Sequence, residues 1–279
     1  MHISLDSALG RQRRLNQVGE TINSIATPAA AYSLRSLTGG DPLAVRVRRS
    51  SDDSEQDFTV SQINSGALLA FVGSGNNGFV DTWYDQSGNS NNATQTDTGK
   101  QPKIVSSGSL LTQGSKACIN FDGSNDFLNK ATYTQGALSQ PNTAFAVAKL
   151  DAYTDSNRKV FDGDVNSARN MLQLNTAGNG QFAHFAGTVA ATGEDADADR
   201  HLFTCLFNGT ASRLRIDTTQ KSTANAGTNT MNGIVIGANH DTAQNFWDGD
   251  IQEIIICDSN QTSNFTALEG NINSYYSIF

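Results

Sequence analysis

The sequence of 279 residues is poor in charge, proline and cysteine, and each shortage removes a class of protein. Only 16% of the residues are Asp, Glu, Lys or Arg, while Gly, Ser, Thr, Asn and Asp abound, the make-up of many short strands joined by turns rather than of long helices. Four prolines, and no Pro-rich or Ser/Gly-rich linker, leave no seam between two halves. We therefore read one large all-β domain. The three cysteines, Cys118, Cys205 and Cys257, lie in the apolar contexts ACINF, LFTCLF and EIIICD. An odd count without paired spacing gives buried core thiols, not a disulfide framework.

No apolar run approaches the roughly 20 residues of a membrane span, so no membrane partner is expected. MHISLDSALGRQRR lacks the basic-then-apolar order of a secretory signal, and synthesis in a reducing cytoplasm follows. The sequons at Asn92, Asn208, Asn260 and Asn264 then carry no glycan. No basic patch is interleaved with aromatics, which excludes nucleic acid as a partner. The four histidines, His2, His184, His201 and His240, show no metal-ligand spacing.

What is present is unevenly placed. Residues 1–50 hold seven arginines against three acidic residues, a net +4 on a chain whose total is −8. In residues 1–28, Leu15, Val18, Ile22 and Ile25 recur at helical spacing, with Arg11, Arg13 and Arg14 on other faces and Pro28 as the stop. This predicts an amphipathic arm that docks on its own domain, on an identical subunit or on a larger assembly.

From residue 29 to 279 the pattern is strand and turn. LAVRVRR (43–49) alternates buried valines with arginines, and the acidic run Asp52, Asp53, Glu55 and Asp57 is placed to pair with them. Residues 65–72 read as a short helix ended by Gly73. Strands are expected at 102–105, 117–121, 144–150, 159–162, 171–175, 181–185, 202–207, 212–216, 233–237 and 251–257, an exposed acidic loop at 193–200, and a closing helix over 263–279. Without βα alternation, the sheet is antiparallel.

The most distinctive stretch is GFVDTWYDQSGNSNNATQ (78–95), an apolar strand that runs into a polar corner. Trp83, Tyr84, Asp85 and Asn89 offer a candidate glycan site, an aromatic platform with hydroxyl partners, and Asn239, His240, Asp241 and Trp247 extend it if the two loops meet. The alternative is that both tryptophans are core residues, which the strand setting favours for Trp83. Asp85, Ser87, Asn89 and Asn91 alternate as in a calcium loop, but position twelve is Thr96 and Gly falls at position four. A hydrogen-bonded turn is preferred over Ca²⁺ there, and no cofactor is expected.

AAYSLRSLTGG, AVRVRRSSDDSEQDFTV and VDTWYDQSGNSNNATQ resemble the N-terminal part of the catalytic domain of the α-L-arabinofuranosidases of glycoside hydrolase family 54. IVIGANHDTAQNFWDGDIQEIIICD is similar to the closing strands of laminin-G or concanavalin A-like lectin/glucanase domains. As a whole the chain resembles concanavalin A-like bacteriophage structural proteins that begin with a short arm.

The resemblance implies a concanavalin A-like antiparallel β-sandwich, or jelly roll, with an N-terminal helical arm (1–28) and a short C-terminal helix. In the arabinofuranosidases an acid/base Asp follows an Ile-Gly-Gly-like turn; here the turn reads Ile236-Gly237-Ala238-Asn239, with an amide in that place and Asp241 two residues on. Retaining hydrolysis needs two carboxyl groups about 5–5.5 Å apart, and the family's nucleophilic Glu finds no counterpart. The expectation is therefore a non-enzymatic decoration protein of a phage virion, docked on other virion proteins through its arm, self-associating and displaying its sandwich to cell-surface glycans. The alternative is a glycoside hydrolase of α-L-arabinofuranosidase type.

Overall fold

The computed structural model describes residues 20–151, 157–175 and 180–279. The chain is mostly β, and every strand pairing among the described residues is antiparallel. Strand Gly78–Trp83 is the fork of the sheet. One edge pairs with Leu43–Arg49, which pairs in turn with Glu55–Thr59. On its other edge, Gly78 faces Val105 of Lys103–Ser106, while Trp83 faces Ala93 of the short strand Ala93–Thr94.

Two arms of sheet leave this fork. The first runs from Lys103–Ser106 through Ile119–Asp122, Asp248–Cys257, Asn142–Leu150, Arg200–Phe207 and Ser212–Ile216 to Thr219–Ala224. The second runs from Ala93–Thr94 through Leu128–Lys130, Ile234–Ile236, Arg158–Asp162, Met171–Asn175 and Gln181–Phe185 to Val189–Ala191. The last strands of the two arms come to lie beside each other without pairing, so the sheet curves nearly into a barrel.

Between the arms sits the main core, with Trp83, Phe121, Phe161, Phe203, Phe207, Trp247, Ile254 and Ile256 all buried in it. The run EIIIC shows how the layers divide. Ile254 and Ile256 point into this core, while Ile255 and Cys257 point to a second core outside the sheet, because side chains alternate along a strand. The second core is capped by helix Phe265–Tyr276 through Phe265, Leu268, Ile272 and Tyr276. A strand covered on both faces reads as a continuous apolar run.

The strand expectations hold to within a few residues at each end, and the closing helix is shorter than 263–279. The arginines of Leu43–Arg49 do pair with the acidic run: Arg46 with Glu55, Arg48 with Asp53 and Arg49 with Asp52. Of the arm, Leu15, Val18, Arg11, Arg13 and Arg14 lie outside the described residues. Ile22 and Ile25 form the ends of a four-residue helix capped by Thr21, and Ile22 is fully buried in the second core. Pro28 opens the strand Pro28–Ser33 rather than ending a long helix. No helix among the described residues is long and apolar enough to cross a membrane.

Candidate functional site

The corner after Gly78–Trp83 is built of hydrogen bonds to the neighbouring strand. Asp85 Oδ1 accepts from the Ala31 and Ser87 amides at 2.8 and 2.9 Å, and Oδ2 accepts from the Asn91 amide and the Ser87 hydroxyl at 2.9 and 2.7 Å. Asn89 Nδ2 donates to the Pro28 and Ala29 carbonyls. Gln86 is buried and bonds the backbone of Ser33, Arg35 and Leu37. These side chains take over the backbone groups of a strand edge, the use Asx-type turns make of short polar residues. Tyr84 is half-buried and donates to Asp57 at 2.6 Å; burial and then that carboxylate push its phenol up to about 12.

The two indoles lie inside. Trp83 and Trp247 are both fully buried, and neither Nε1 has a hydrogen-bond partner. Their faces are core faces, as the strand setting of Trp83 suggests. The two loops do not meet. Thr82 pairs with Thr94, Thr94 with Asn129, and Asn129 with Val235. In these antiparallel strands the Tyr84–Asn91 corner leaves the sheet at one end, beside Thr134. The Asn239 turn leaves at the other, where Gly123 bonds the Trp247 carbonyl. The composite glycan site drawn from both loops is therefore corrected to two separate places.

At the second place the geometry is of a different kind. Gly237, at φ +83°, begins a turn that folds Asn239 and His240 back over the sheet; a Cβ at Gly237 would stand 2.3 Å from the Phe121 ring, so glycine is required. Asp162, at the end of Arg158–Asp162, is fully buried below this turn. Its carboxylate accepts from the Arg169 Nε at 3.0 Å, from Arg169 Nη2, from the Gly163 amide at 2.8 Å and from the His240 amide at 3.0 Å. Burial pushes Asp162 up from the usual carboxylate range, yet four N–H donors and no acceptor around it favour the ionised form.

Arg169 Nη2 also donates to Asn239 Oδ1 at 2.7 Å, which leaves the Asn239 amide hydrogens free to reach Asp241 Oδ1 at 3.2 Å. The two carboxylates at the rim differ. Asp164, which accepts from Asn129 Nδ2 at 3.4 Å, is pushed up by burial against the pull of Asn129 and His240. Asp241 is nudged up by slight burial, but hydrogen bonds from Ala243, Asn239 and Gln244 outweigh it and hold the carboxyl below its ordinary value. His240 bears on both of them, and its buried Nδ1 lies 4.0 Å from Asp162 with no hydrogen-bond partner.

Asp162, Asp164 and Arg169 escape a reading by motif, since they come from a strand and the loop after it, some 70 residues before Asn239. The available signal is an Asp that closes the strand RKVFD directly after Val160 and Phe161. A second constellation also joins separate elements: His201 lies between Asp197 and Asp217 beside a cavity of about 180 Å³. Loop 193–200 is largely exposed, as expected, while its Asp197 also reaches His201. Among the described residues, no group of three or more His, Cys, Asp or Glu side chains is arranged to hold a metal ion.

The comparisons bear on this architecture. No family model and no curated protein matches the sequence. Solved structures do match. An arabinofuranosidase complexed with arabinofuranosyl-α-1,2-xylobiose superposes with a TM-score of 0.69 at 18% identity, over 90% of this chain and 64% of its own. An α-L-arabinofuranosidase of glycoside hydrolase family 54, soaked with a cyclic sulfate inhibitor, superposes with a TM-score of 0.70 at 16% identity, over 88% and 62%. This chain thus spans less than two thirds of the length of those proteins. The expectation of a non-enzymatic virion decoration protein is overturned by these matches, which share their fold with almost the whole chain and favour over it the alternative, a glycoside hydrolase of α-L-arabinofuranosidase type.

Proposed function

We propose that the chain is a glycoside hydrolase module of α-L-arabinofuranosidase type. The observation that carries this reading is the hydrogen-bonded polar cluster at the Ile236–Asn239 turn, with two carboxyl groups of opposite tendency, Asp164 and Asp241, in a fold shared with arabinofuranosidases over 88–90% of the chain. On this reading the two arms of the sheet are the layers of a concanavalin A-like jelly roll.

Pairs of carboxyl groups whose surroundings push their pKa values apart divide into acid and base. Asp164, displaced upward by burial, is the acid that delivers a proton to the glycosidic oxygen as the C–O bond breaks. Asp241, held ionised by Asn239, Gln244 and the Ala243 amide, is the second carboxylate. Water supplies the hydroxyl to the anomeric carbon and the proton that returns to Asp164. The amide at position 239 does not transfer a proton; it orients Asp241.

Hydrolysis of 4-nitrophenyl α-L-arabinofuranoside and of an arabinofuranosyl oligosaccharide tests this. Turnover of both is expected, lost in Asp241→Asn. In Asp164→Asn the oligosaccharide is affected far more than the aryl glycoside, because nitrophenolate leaves without protonation. Binding without turnover in the wild type would identify a lectin, and neither binding nor turnover would end the carbohydrate reading.

A further inference from the structure

We propose that His201 is a proton-operated latch that holds the 193–199 loop shut over the cavity at the seam of the sheet and releases it when the imidazole loses a proton. This does not rest on the hydrolase reading. The seam is where the ends of the two arms, Val189–Ala191 and Thr219–Ala224, lie side by side unpaired, and the cavity of about 180 Å³ opens there. Phe182 lines it from the core side, with Ile216, Thr192 and Thr219 around it.

His201 bridges the two sides. Its Nδ1 lies 2.6 Å from Asp217 Oδ2, on the hairpin of the first arm, and its Nε2 lies 2.8 Å from Asp197 Oδ1, on the loop that follows the second arm. Carboxylate oxygens accept, so both ring nitrogens must donate, and only the imidazolium does so. The geometry therefore requires the doubly protonated ring.

The surrounding groups agree. Glu194, Asp195, Asp197 and Asp217 line the cavity with one lysine, Lys221, which pairs with Glu194 at 2.7 Å. Burial lowers the affinity of His201 for its proton, but Asp217 and Asp197 outweigh it and raise the pKa above 6.5. A group raised in the folded state stabilises the closed form fully below its unfolded value, and the contribution is lost as pH rises through the folded one.

Which bond yields is decided by anchoring. Asp217 also accepts from the Leu202 amide at 2.9 Å, and it sits with Thr218 in a two-residue hairpin turn with both φ positive. Asp197 Oδ1 also accepts from the Asp199 amide at 2.8 Å, but that donor belongs to the same loop, and the Asp197 side chain is 57% exposed against 27% for Asp217. Deprotonation at Nε2 therefore frees Asp197. The loop then keeps the Ala196-to-Gly180 backbone bond, the bond from the Gly193 amide to Gln181 Oε1 at 3.2 Å and the Lys221–Glu194 pair.

The test is amide hydrogen exchange across pH, expressed as protection relative to the intrinsic rate, with the His201 titration followed by ¹⁵N NMR of the imidazole. In the wild type, both ring nitrogens are expected to be protonated below the transition. Protection of the Ala196 and Asp199 amides should fall roughly ten- to a hundredfold as His201 titrates, the scale of one charge-assisted hydrogen bond. His201→Gln, which does not titrate, should abolish the pH dependence, and Asp197→Asn should give weak protection at every pH. Protection unchanged through the titration of His201, a neutral ring below it, or a pH dependence surviving in His201→Gln would each overturn the latch. The NMR arm needs no variant, so a misfolded mutant leaves the proposal decidable.

Discussion

Arg169 Nη2 donates to Asn239 Oδ1 at 2.7 Å, and this bond decides which way the Asn239 amide faces. With its oxygen held, the amide turns its hydrogens to Asp241. Asn239→Asp replaces that donor by a second carboxylate where Asn239 Nδ2 now stands 3.2 Å from Asp241 Oδ1. Like charges so close do not ionise independently. The Asp241 carboxyl is expected to titrate higher in the variant, as read by ¹³C NMR of labelled aspartate, and an unchanged Asp241 would show that the turn reorganises.

Arg169→Met leaves Asp162 fully buried with its countercharge removed. Breaking a buried pair on one side costs about 3–5 kcal/mol. Urea unfolding at pH 7 should register a loss of that order, and Arg169→Met with Asp162→Asn should recover part of it. A double variant no more stable than the single would indicate that packing, not the stranded charge, dominates.

His184 introduces a pH dependence of its own. It is fully buried, its Nδ1 lies 3.1 Å from the Ala190 carbonyl, and burial pushes its imidazole down to about 4. A ring nitrogen facing a carbonyl must carry the proton, so the folded state holds the neutral ring, with Nε2 unpartnered. The unfolded chain takes up a proton near pH 6.5, so stability falls as pH drops from about 6.5 towards 4, by at most about 3 kcal/mol. His184→Leu should lose this part of the acid slope in urea midpoints measured at pH 7 and 4.5. The same slope in both proteins would assign it to other groups.

Trp83 and Trp247, both at 0% exposure, should emit as buried indoles and resist iodide quenching. Added arabinofuranosides should leave that emission unchanged, because the cluster around Asn239 presents polar groups and not an indole face. A quenchable, red-shifted or sugar-sensitive emission would show that one of these rings is open.

Much was legible locally. Alternation in LAVRVRR, the Gly- and Asn-rich turns and the apolar stripe of Phe265–Tyr276 each express a short-range rule, period two, turn chemistry or period three to four, so strand and helix positions follow from the residues themselves. The corner Asp85–Asn91 was likewise readable as a turn, since its side chains bond backbone close to hand and the edge of a single strand. What composition could not supply was which ends of which strands adjoin. Asp162 reaches the His240 amide, and Arg169 reaches Asn239, only because the antiparallel sheet sets Arg158–Asp162 beside Ile234–Ile236, a pairing between segments far apart in the chain. The sequence by itself determined a turn-rich antiparallel β protein with buried thiols. Only the tertiary structure decided that the tryptophans face inward, that the two candidate loops part company, and which carboxylates share a site, because burial and charge proximity arise from contacts between residues far apart in the chain.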